Sequence, residues 1–322
     1  MPLTAEWDGT NWLPVVTSQT PPVQTGFEMV YDAARDNIVL FGANFVSGKI
    51  SITNNGETID SGGAGIVAAK LGAAVDPDTG LPLTESITIQ NIGGRVEADG
   101  VGIAVTALDP NLGNPVVNNV RIVNDEDANG VAGFITGSGD ITLLAPTIGV
   151  LTDGGLTVIN DNGSTMENSL GVDGVLMGVV AGQSVDISND NGSFMTGAVG
   201  IASASGSVEF DNTRDSTWNF NNTSLIAASE NVTVTNDRGS QITVGTNGTL
   251  ALVAGANALI TNDRGSDMTF LGDSDNVMVA VEDATISNDR GASMSFIGDN
   301  LNVMVAGDDA SIDNTRGGSM NF

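Results

Sequence analysis

Cysteine and histidine are both absent from this 322-residue sequence. Their absence excludes disulfide bonds, thiol nucleophiles, Ser-His-Asp triads and the common zinc sites. An acid–base enzyme built on this chain would depend on carboxylates, assisted by arginine or lysine. Because the acidic residues recur along the sequence and do not concentrate at one exceptional place, we expect that the protein is not an enzyme and needs no cofactor.

Aromatic residues, basic residues and long apolar runs are also scarce. Aromatics make up 4% of the chain, and 10 basic side chains stand against 39 acidic ones, which gives a net charge of -29. This charge repels phosphate groups, so we expect no nucleic-acid partner. No run approaches the roughly 18 apolar residues of a spanning helix, so the sequence predicts no membrane-spanning segment. No signal peptide, a basic segment followed by an apolar one, is visible in the N-terminal residues.

The residues that are abundant favour short strands. The chain contains 42 glycines, with many β-branched residues, asparagines and aspartates, a composition typical of strands joined by tight turns. Two alternating apolar residues followed by asparagine recur along the chain. The ten asparagines of this pattern are Asn54, Asn91, Asn124, Asn160, Asn189, Asn212, Asn236, Asn262, Asn288 and Asn314. Successive asparagines are 37, 33, 36, 29, 23, 24, 26, 26 and 26 residues apart, so the repeat becomes regular toward the C-terminus.

Two further apolar pairs complete each regular repeat. After Asn262 they are Met268 with Phe270, and Val277 with Val279, a register that turns the intervening Met278 outward, as it does Met304 one repeat later. Three strands in about 26 residues make one turn of a three-sided solenoid. We therefore predict an all-β fold. It is a right-handed parallel β-helix of about ten coils over residues 48–322, preceded by a short irregular N-terminal segment over residues 1–47.

The recurring asparagine is interpreted as a structural ladder. In stacked turns, each side-chain amide can donate to the coil on one side and accept from the coil on the other. The glycine that follows, as in Gly265, is expected to have a positive φ angle. Four arginines, each two residues after a ladder asparagine, occupy the same position in successive coils. They could bind an acidic glycan, but the adjacent aspartates favour ion pairing instead. These arginines are Arg238, Arg264, Arg290 and Arg316.

Residues 125–130 resemble the first half of a calcium loop. Asp125, Asp127 and Asn129 offer oxygen ligands at alternate positions before Gly130. The twelfth position is Thr136, where an EF-hand requires a bidentate glutamate, so a complete EF-hand is not expected. The three residues remain a calcium candidate, against the alternative of a solvated turn.

Two stretches of sequence resemble known families. The strings Ile-Thr-Asn-Asn-Gly at 52–56 and Gly-Gly-Ala-Gly-Ile at 62–66, with the later Asn-Asp-Arg-Gly-Ser units, resemble the passenger repeats of bacterial autotransporter and filamentous-haemagglutinin-type adhesins. This resemblance covers about residues 48–322. It implies a secreted or surface-displayed β-helix, associated with the outer membrane if autotransporter-like, and often adhesive. Its partners would be surface glycans or proteins of host or neighbouring cells.

The second resemblance, over residues 6–42, is to bacterial Kelch-type propeller repeats. It rests on Trp-Asp-Gly-Thr-Asn-Trp at 7–12, Pro-Pro at 21–22, Tyr-Asp-Ala-Ala-Arg at 31–35 and Ile-Val-Leu-Phe-Gly at 38–42. A single blade cannot close a propeller ring. We therefore expect residues 1–47 to cap the first coil or to be the remnant of a longer upstream domain.

These patterns predict a non-enzymatic extracellular or cell-surface β-helix that acts as an adhesin, structural stalk or display scaffold. Long loops at 72–85 and 107–119 are the candidate contact surfaces. One alternative is a carbohydrate-active β-helix enzyme, a polysaccharide lyase or hydrolase, which needs three or more carboxylates converging in one groove. Another is a subunit of an assembled fibre or phage-type spike. Because the sequence stops at Phe322, part-way through a coil, we also expect self-association through uncapped coil ends.

Overall fold

The computed structural model describes residues 4–7, 12–15, 49–72, 85–109, 117–137 and 146–321. An antiparallel hairpin of β1 (Thr4–Trp7) and β2 (Trp12–Val15) lies in the N-terminal segment. The rest of the Kelch-like stretch, and the inner parts of the two long loops predicted as contact surfaces, lie outside the described residues. A short 3-10 helix, Gly171–Asp173, interrupts the strands.

Three parallel sheets, of 10, 10 and 9 strands, run along the molecule. Sheet I consists of β3 (Ile50–Asn55), β6 (Ile87–Ile92), β9 (Val120–Asp125), β12 (Leu156–Asn160), β15 (Val185–Asn189), β18 (Val208–Asn212), β21 (Val232–Asn236), β24 (Ala258–Asn262), β27 (Ala284–Asn288) and β30 (Ala310–Asn314). Sheet II consists of β4 (Thr58–Ser61), β7 (Arg95–Ala98), β10 (Phe134–Gly137), β13 (Thr165–Asn168), β16 (Phe194–Thr196), β19 (Thr217–Phe220), β22 (Gln241–Val244), β25 (Asp267–Leu271), β28 (Ser293–Ile297) and β31 (Ser319–Asn321). Sheet III consists of β5 (Ile66–Leu71), β8 (Ile103–Leu108), β11 (Ile148–Thr152), β14 (Val175–Ala181), β17 (Ala198–Ser203), β20 (Thr223–Ala228), β23 (Thr249–Ala254), β26 (Asp275–Ala280) and β29 (Leu301–Val305).

The chain visits the three sheets in turn, so that each coil contributes one strand to each sheet. Every third strand pairs with its equivalent in the next coil, and in sheet I the asparagines align one over the next, as Asn236 does with Asn262. Parallel pairing between equivalent strands is what stacked coils produce. The predicted three-sided parallel β-helix of about ten coils is confirmed.

The core fills the inside of this three-sided tube with the apolar residues predicted for sheets I and II. Val232 and Val234 of sheet I are fully buried. In the neighbouring coil of sheet II, the ring of Trp218 lies 4.3 Å from that of Phe210 and 4.5 Å from that of Phe220, measured between centroids. The indole Nε1 of Trp218 donates to the carbonyl of Gly197 at 3.1 Å. These three aromatic side chains therefore pack together inside the tube.

The register predicted for sheet III is wrong by one residue. Val277 and Val279 were expected inside, yet Met278 is 3% exposed and both valines point outward. The same shift applies one coil earlier, where Leu250 and Leu252 are buried and Val253 is exposed. These strands are apolar at consecutive positions, so alternation does not distinguish their two faces, and a slip of one residue exchanges inside for outside.

The central outward residues of sheet III form two columns, which we call the outer face of sheet III; a shorter row at its edge holds Thr223, Thr249, Asp275 and Leu301. The first column is Val67, Ala104, Gly149, Gly178, Gly200, Leu225, Ala251, Val277 and Val303. The second column is Ala69, Thr106, Leu151, Val180, Ala202, Ala227, Val253, Val279 and Val305.

Candidate functional site

The predicted asparagine ladder runs through sheet I from end to end. In each successive pair, the Nδ2 of one asparagine donates to the Oδ1 of the next, at distances between 2.7 and 3.0 Å. All ten predicted asparagines take part, and those from Asn91 to Asn288 are fully buried. Because every amide points the same way along the tube, each bond polarises the next.

Each amide also ties its own turn to the following coil. The Nδ2 of Asn262 donates to the carbonyl of Ser293 at 2.7 Å, besides its bond of 2.9 Å to Asn288. It also reaches the carbonyl of Ser266 at 3.3 Å. The Oδ1 of Asn262 accepts from Asn236 at 2.8 Å. One side chain thereby hydrogen-bonds to backbone carbonyls of two coils, and that of Ser266 also accepts from the backbone N–H of Ser293 at 2.9 Å.

A second buried polar column, not predicted from the sequence, lies four residues after the asparagines. The hydroxyl of Ser216 accepts from the backbone N–H of Ser193 at 3.2 Å, and that of Ser240 accepts from the N–H of Ser216 at 3.1 Å. Together with Ser164 and Ser266 these serines are fully buried. The signal that could have revealed them is the spacing Asn-x-x-x-Ser, which recurs in the middle coils.

From Asn160 onward, the turn after each ladder asparagine holds two successive residues in the left-handed region. The glycine was predicted there, and Gly265 has a φ of 73°. Arg264, with a φ of 52°, was not expected to share that conformation. The carboxylate of Asp263 accepts from the backbone N–H of Arg264 at 2.7 Å, which helps to fix the turn.

The predicted ion pairing of the arginine column is confirmed. Arg264 contacts Asp237 of the preceding coil at 3.2 Å and Asp263 of its own coil at 3.7 Å, and Arg290 repeats the arrangement with Asp263 at 3.3 Å. These guanidinium groups remain partly exposed, so each pair contributes modestly to stability. Their charge is matched within the column, which does not favour an acidic glycan as a ligand.

The calcium candidate is a turn whose carboxylates accept hydrogen bonds from the protein. Asp127 accepts from the backbone N–H groups of Asn129 at 2.8 Å and Val131 at 2.9 Å. These bonds, that from Val131 first, hold the pKa of the Asp127 carboxyl below its usual range. Asp125 accepts from the side chain of Asn162 at 2.8 Å. Within the described ranges, no group of three or more Asp, Glu, His or Cys side chains could hold a metal ion, and calcium binding here stays a prediction.

A polar groove of about 470 Å³ follows the corner where sheet III passes into sheet I. It crosses several coils, and its lining includes Glu85, Arg121, Asp186 and Glu230. Arg121 lies 3.7 Å from the carboxylate of Glu85. A groove that crosses coils presents the shape that an extended polymer would follow.

Three carboxylates lie together on the outer side of sheet I near this groove. Asp186 aligns with Glu209 on the adjacent strand, and Asp211 follows Glu209 on the same face. Burial raises the pKa of Glu209, and the negative charges of Asp211 and Asp186 raise it further. Burial is also the main reason that the pKa of Asp211 is raised, against a hydrogen bond from Thr235 that lowers it. Of the three, Asp186 lines the groove.

Comparisons of this chain with protein-family models, with curated proteins and with solved structures found no match. In the portions of the chain that the structure describes, no helix has the length and apolar character needed to cross a membrane.

Proposed function

We propose that the chain is a non-enzymatic extracellular or cell-surface β-helix that acts as an adhesin and display scaffold. The observation that carries this proposal is the asparagine ladder, which links ten coils without a break. At the usual strand spacing, ten coils form a rod about 45 Å long. The repeated buried groups stabilise the rod and leave its outer surfaces and loops to make contacts.

The contact surfaces would be the loops at 72–85 and 107–119, where the regular repeat is interrupted. The first contains proline, glycine and aspartate, two of each, and the second contains two prolines and four asparagines, residues that favour projecting turns. Surface glycans or proteins of host or neighbouring cells are the proposed partners. The extracellular location rests on the resemblance of residues 48–322 to adhesin passenger repeats.

A bead-binding assay tests the adhesive role. Fluorescent beads coated with the full chain are offered to cells and to immobilised neutral glycans, beside beads whose protein has residues 73–84 and 110–116 replaced by short Gly-Ser linkers. We expect adhesion by the native beads and its loss with the shortened loops, while circular dichroism stays unchanged. Native beads that do not adhere, or adhesion that survives the loop replacement, would contradict the proposed role of these loops.

The second candidate function is cleavage of a polysaccharide, and the carboxylates beside the groove favour it. A raised carboxyl pKa suits a general acid, and Asp186 reaches the groove where a glycan chain could lie. The test is release of new reducing ends from a panel of polysaccharides by the native chain, by Asp186→Asn and by Glu209→Gln. Asp267→Asn, on the outer side of sheet II, is the matched control. Cleavage that Asp186→Asn and Glu209→Gln both lose and the control retains would replace the non-enzymatic proposal.

A further inference from the structure

The two central columns of the outer face of sheet III carry no charge along their full length, and Asp275, at the start of β26, lies at the edge of this face. At the two central outward positions of all nine strands the residues are glycine, alanine, valine or leucine, and Thr106 is the one polar exception. Several of these side chains are well exposed, among them Leu151 at 43%, Val180 at 53% and Leu225 at 45%. Single exposed apolar residues are ordinary, whereas a continuous apolar sheet face marks a surface that another molecule covers.

The other two sheets show what an exposed face of this protein normally contains. The outward positions of sheet I include Asp186, Glu209 and Asp211, and those of sheet II include Glu167 and Asp267. The chain has 39 acidic side chains, and none occupies the two columns of the outer face of sheet III. Strands that are apolar on both sides are typical of parallel sheets buried on both faces.

We propose that the outer face of sheet III is a self-association surface, on which a second copy of the chain packs the same face of its own sheet III. The inference does not depend on the proposed adhesive role, because a monomeric rod could adhere equally well.

The area of this face matches that of a stable dimer. Nine strands at about 4.8 Å spacing extend roughly 38 Å, and five residues along each strand span roughly 17 Å. The contact would thus cover at most about 650 Å² on each copy, or about 1,300 Å² in total, which lies at the lower end of the range of specific protein interfaces. Pro146 covers the part of this area at Gly149 and Gly178.

The charge of the chain restricts where a second copy can pack. Each chain carries a net charge of -29, so two copies repel one another through their other surfaces. The outer face of sheet III is the surface on which they can meet without opposing like charges or burying a carboxylate. A basic partner protein would instead be drawn to the acidic sides of the tube.

The shape of the face fits two-fold packing. Its middle strand, β17, presents the small residues Gly200 and Ala202, while larger residues such as Leu225 and Val303 lie toward one end. A two-fold axis near β17 would therefore place the closest approach of the two sheets over its smallest side chains. On the other side of β17, the ring of Pro146 would lie 2.9 Å from a Cβ added at Gly178, so the chain itself packs over part of the face.

Sedimentation velocity of the full chain over the micromolar range tests the proposal. We expect a dimer that does not grow further, because a two-fold contact uses up the surface. Leu225→Asp and Val253→Asp should each weaken dimerisation by at least about 100-fold, because each buries unpaired carboxylates on both copies. Leu259→Asp is the matched control, since Leu259 points outward from sheet I, and it should leave the dimer intact.

Two outcomes would overturn the proposal: a native chain that stays monomeric throughout this range, or association that both face variants retain. Association through coil ends would be recognised by growth beyond two copies with concentration and by insensitivity to Leu225→Asp. If a face variant unfolds, a spin label gives a second measurement. The chain has no native cysteine, so a label on Ala202→Cys should report a short distance between copies and one on Thr243→Cys, in sheet II, a longer one. A distance at Ala202→Cys no shorter than at Thr243→Cys contradicts the proposed contact.

Discussion

At the residue scale, each buried ladder asparagine supplies hydrogen bonds that a bridging water supplies in other folds. Asn262 sits at the end of a strand, where the chain turns and its backbone groups leave the sheet pattern. Its amide donates to Asn288 and to the carbonyls of Ser266 and Ser293. Removing it breaks the ladder, because the buried Oδ1 of Asn288 loses the amide that donates to it.

We expect Asn262→Leu to lower the free energy of unfolding by roughly 1 to 3 kcal/mol, because the neighbouring amides lose their partners. Urea denaturation followed by circular dichroism measures the change. Asn314→Leu is the control, because Asn314 belongs to the same ladder but is exposed, and it should cost less than about 0.5 kcal/mol. Equal effects at both positions, or none at Asn262, would contradict the role of the ladder in stability.

The carboxylate Asp211 is predicted to destabilise the fold at neutral pH. Its pKa is raised in the folded chain by burial and by the nearby charges of Asp186 and Asp237. The folded state therefore holds the Asp211 proton more tightly than the unfolded chain does, and this contribution to stability declines as pH rises through the folded pKa. Asp211→Asn should stabilise the protein by about 0.5 kcal/mol at pH 7.

The pH dependence of stability shows whether the gain from Asp211→Asn is electrostatic. The advantage of Asp211→Asn should shrink as pH falls through the folded pKa of Asp211, because the native carboxyl then becomes neutral as well. Asp127→Asn should have the opposite effect on stability. The pKa of the Asp127 carboxyl is lowered in the folded chain, so replacing this residue should destabilise the protein at neutral pH. Melting temperatures between pH 4 and 7 give the comparison, and a pH-independent gain for Asp211→Asn would exclude the electrostatic explanation.

At the scale of the element, the connections between strands depend on glycine for two different reasons. Gly265 has a positive φ, and a Cβ added there would meet nothing within 4 Å. Gly255 has no such φ, but a Cβ added there would overlap the carbonyl oxygen of Ser229 in the preceding coil. The first glycine serves the conformation of the turn, and the second allows two coils to stack closely.

The two roles predict different losses of stability when each glycine is replaced by alanine. Gly265→Ala should destabilise by about 1 kcal/mol, the strain of a left-handed alanine. Gly255→Ala should cost roughly 2 to 3 kcal/mol, because the backbone of one coil must move away from the next. Denaturant midpoints of the two variants measure the difference, and a larger loss at Gly265 than at Gly255 would show that close stacking does not limit this position.

At the scale of the whole molecule, the net charge of -29 opposes folding and association alike. Sodium chloride screens this repulsion, since the screening length falls from roughly 20 Å at about 20 mM salt to roughly 4 Å at about 500 mM. We expect the melting temperature to rise by several degrees over this range. A melting temperature that stays constant or falls would mean that long-range repulsion is negligible.

Melting temperatures measured in calcium chloride test whether the chain binds calcium. At equal ionic strength, calcium chloride should raise the melting temperature more than sodium chloride if Asp125, Asp127 and Asn129 bind the ion. Asp127→Asn should then abolish the excess. Equal curves for the two salts would leave the residues as a hydrogen-bonded turn.

Much of this architecture follows from the sequence because its signals are local and repeated. The recurrence of asparagine predicts the coils and the ladder, and the alternation around Val232 and Met268 predicts which sides of sheets I and II are buried. The register of sheet III could not be predicted in this way. Val277 and Met278 are both apolar, so only the packing of neighbouring coils decides which one enters the tube.

What the sequence determined alone is the repeat: three strands per coil, an amide at each corner and a turn that needs a left-handed glycine. What only the tertiary structure decided is which residues from distant coils share a surface. Asp186 lies 23 positions before Glu209 in the chain and beside it in the sheet, and the apolar columns of sheet III emerge when nine strands stack. The physical reason is that a strand specifies its own alternation, whereas a face is built from many strands whose register is fixed only by stacking.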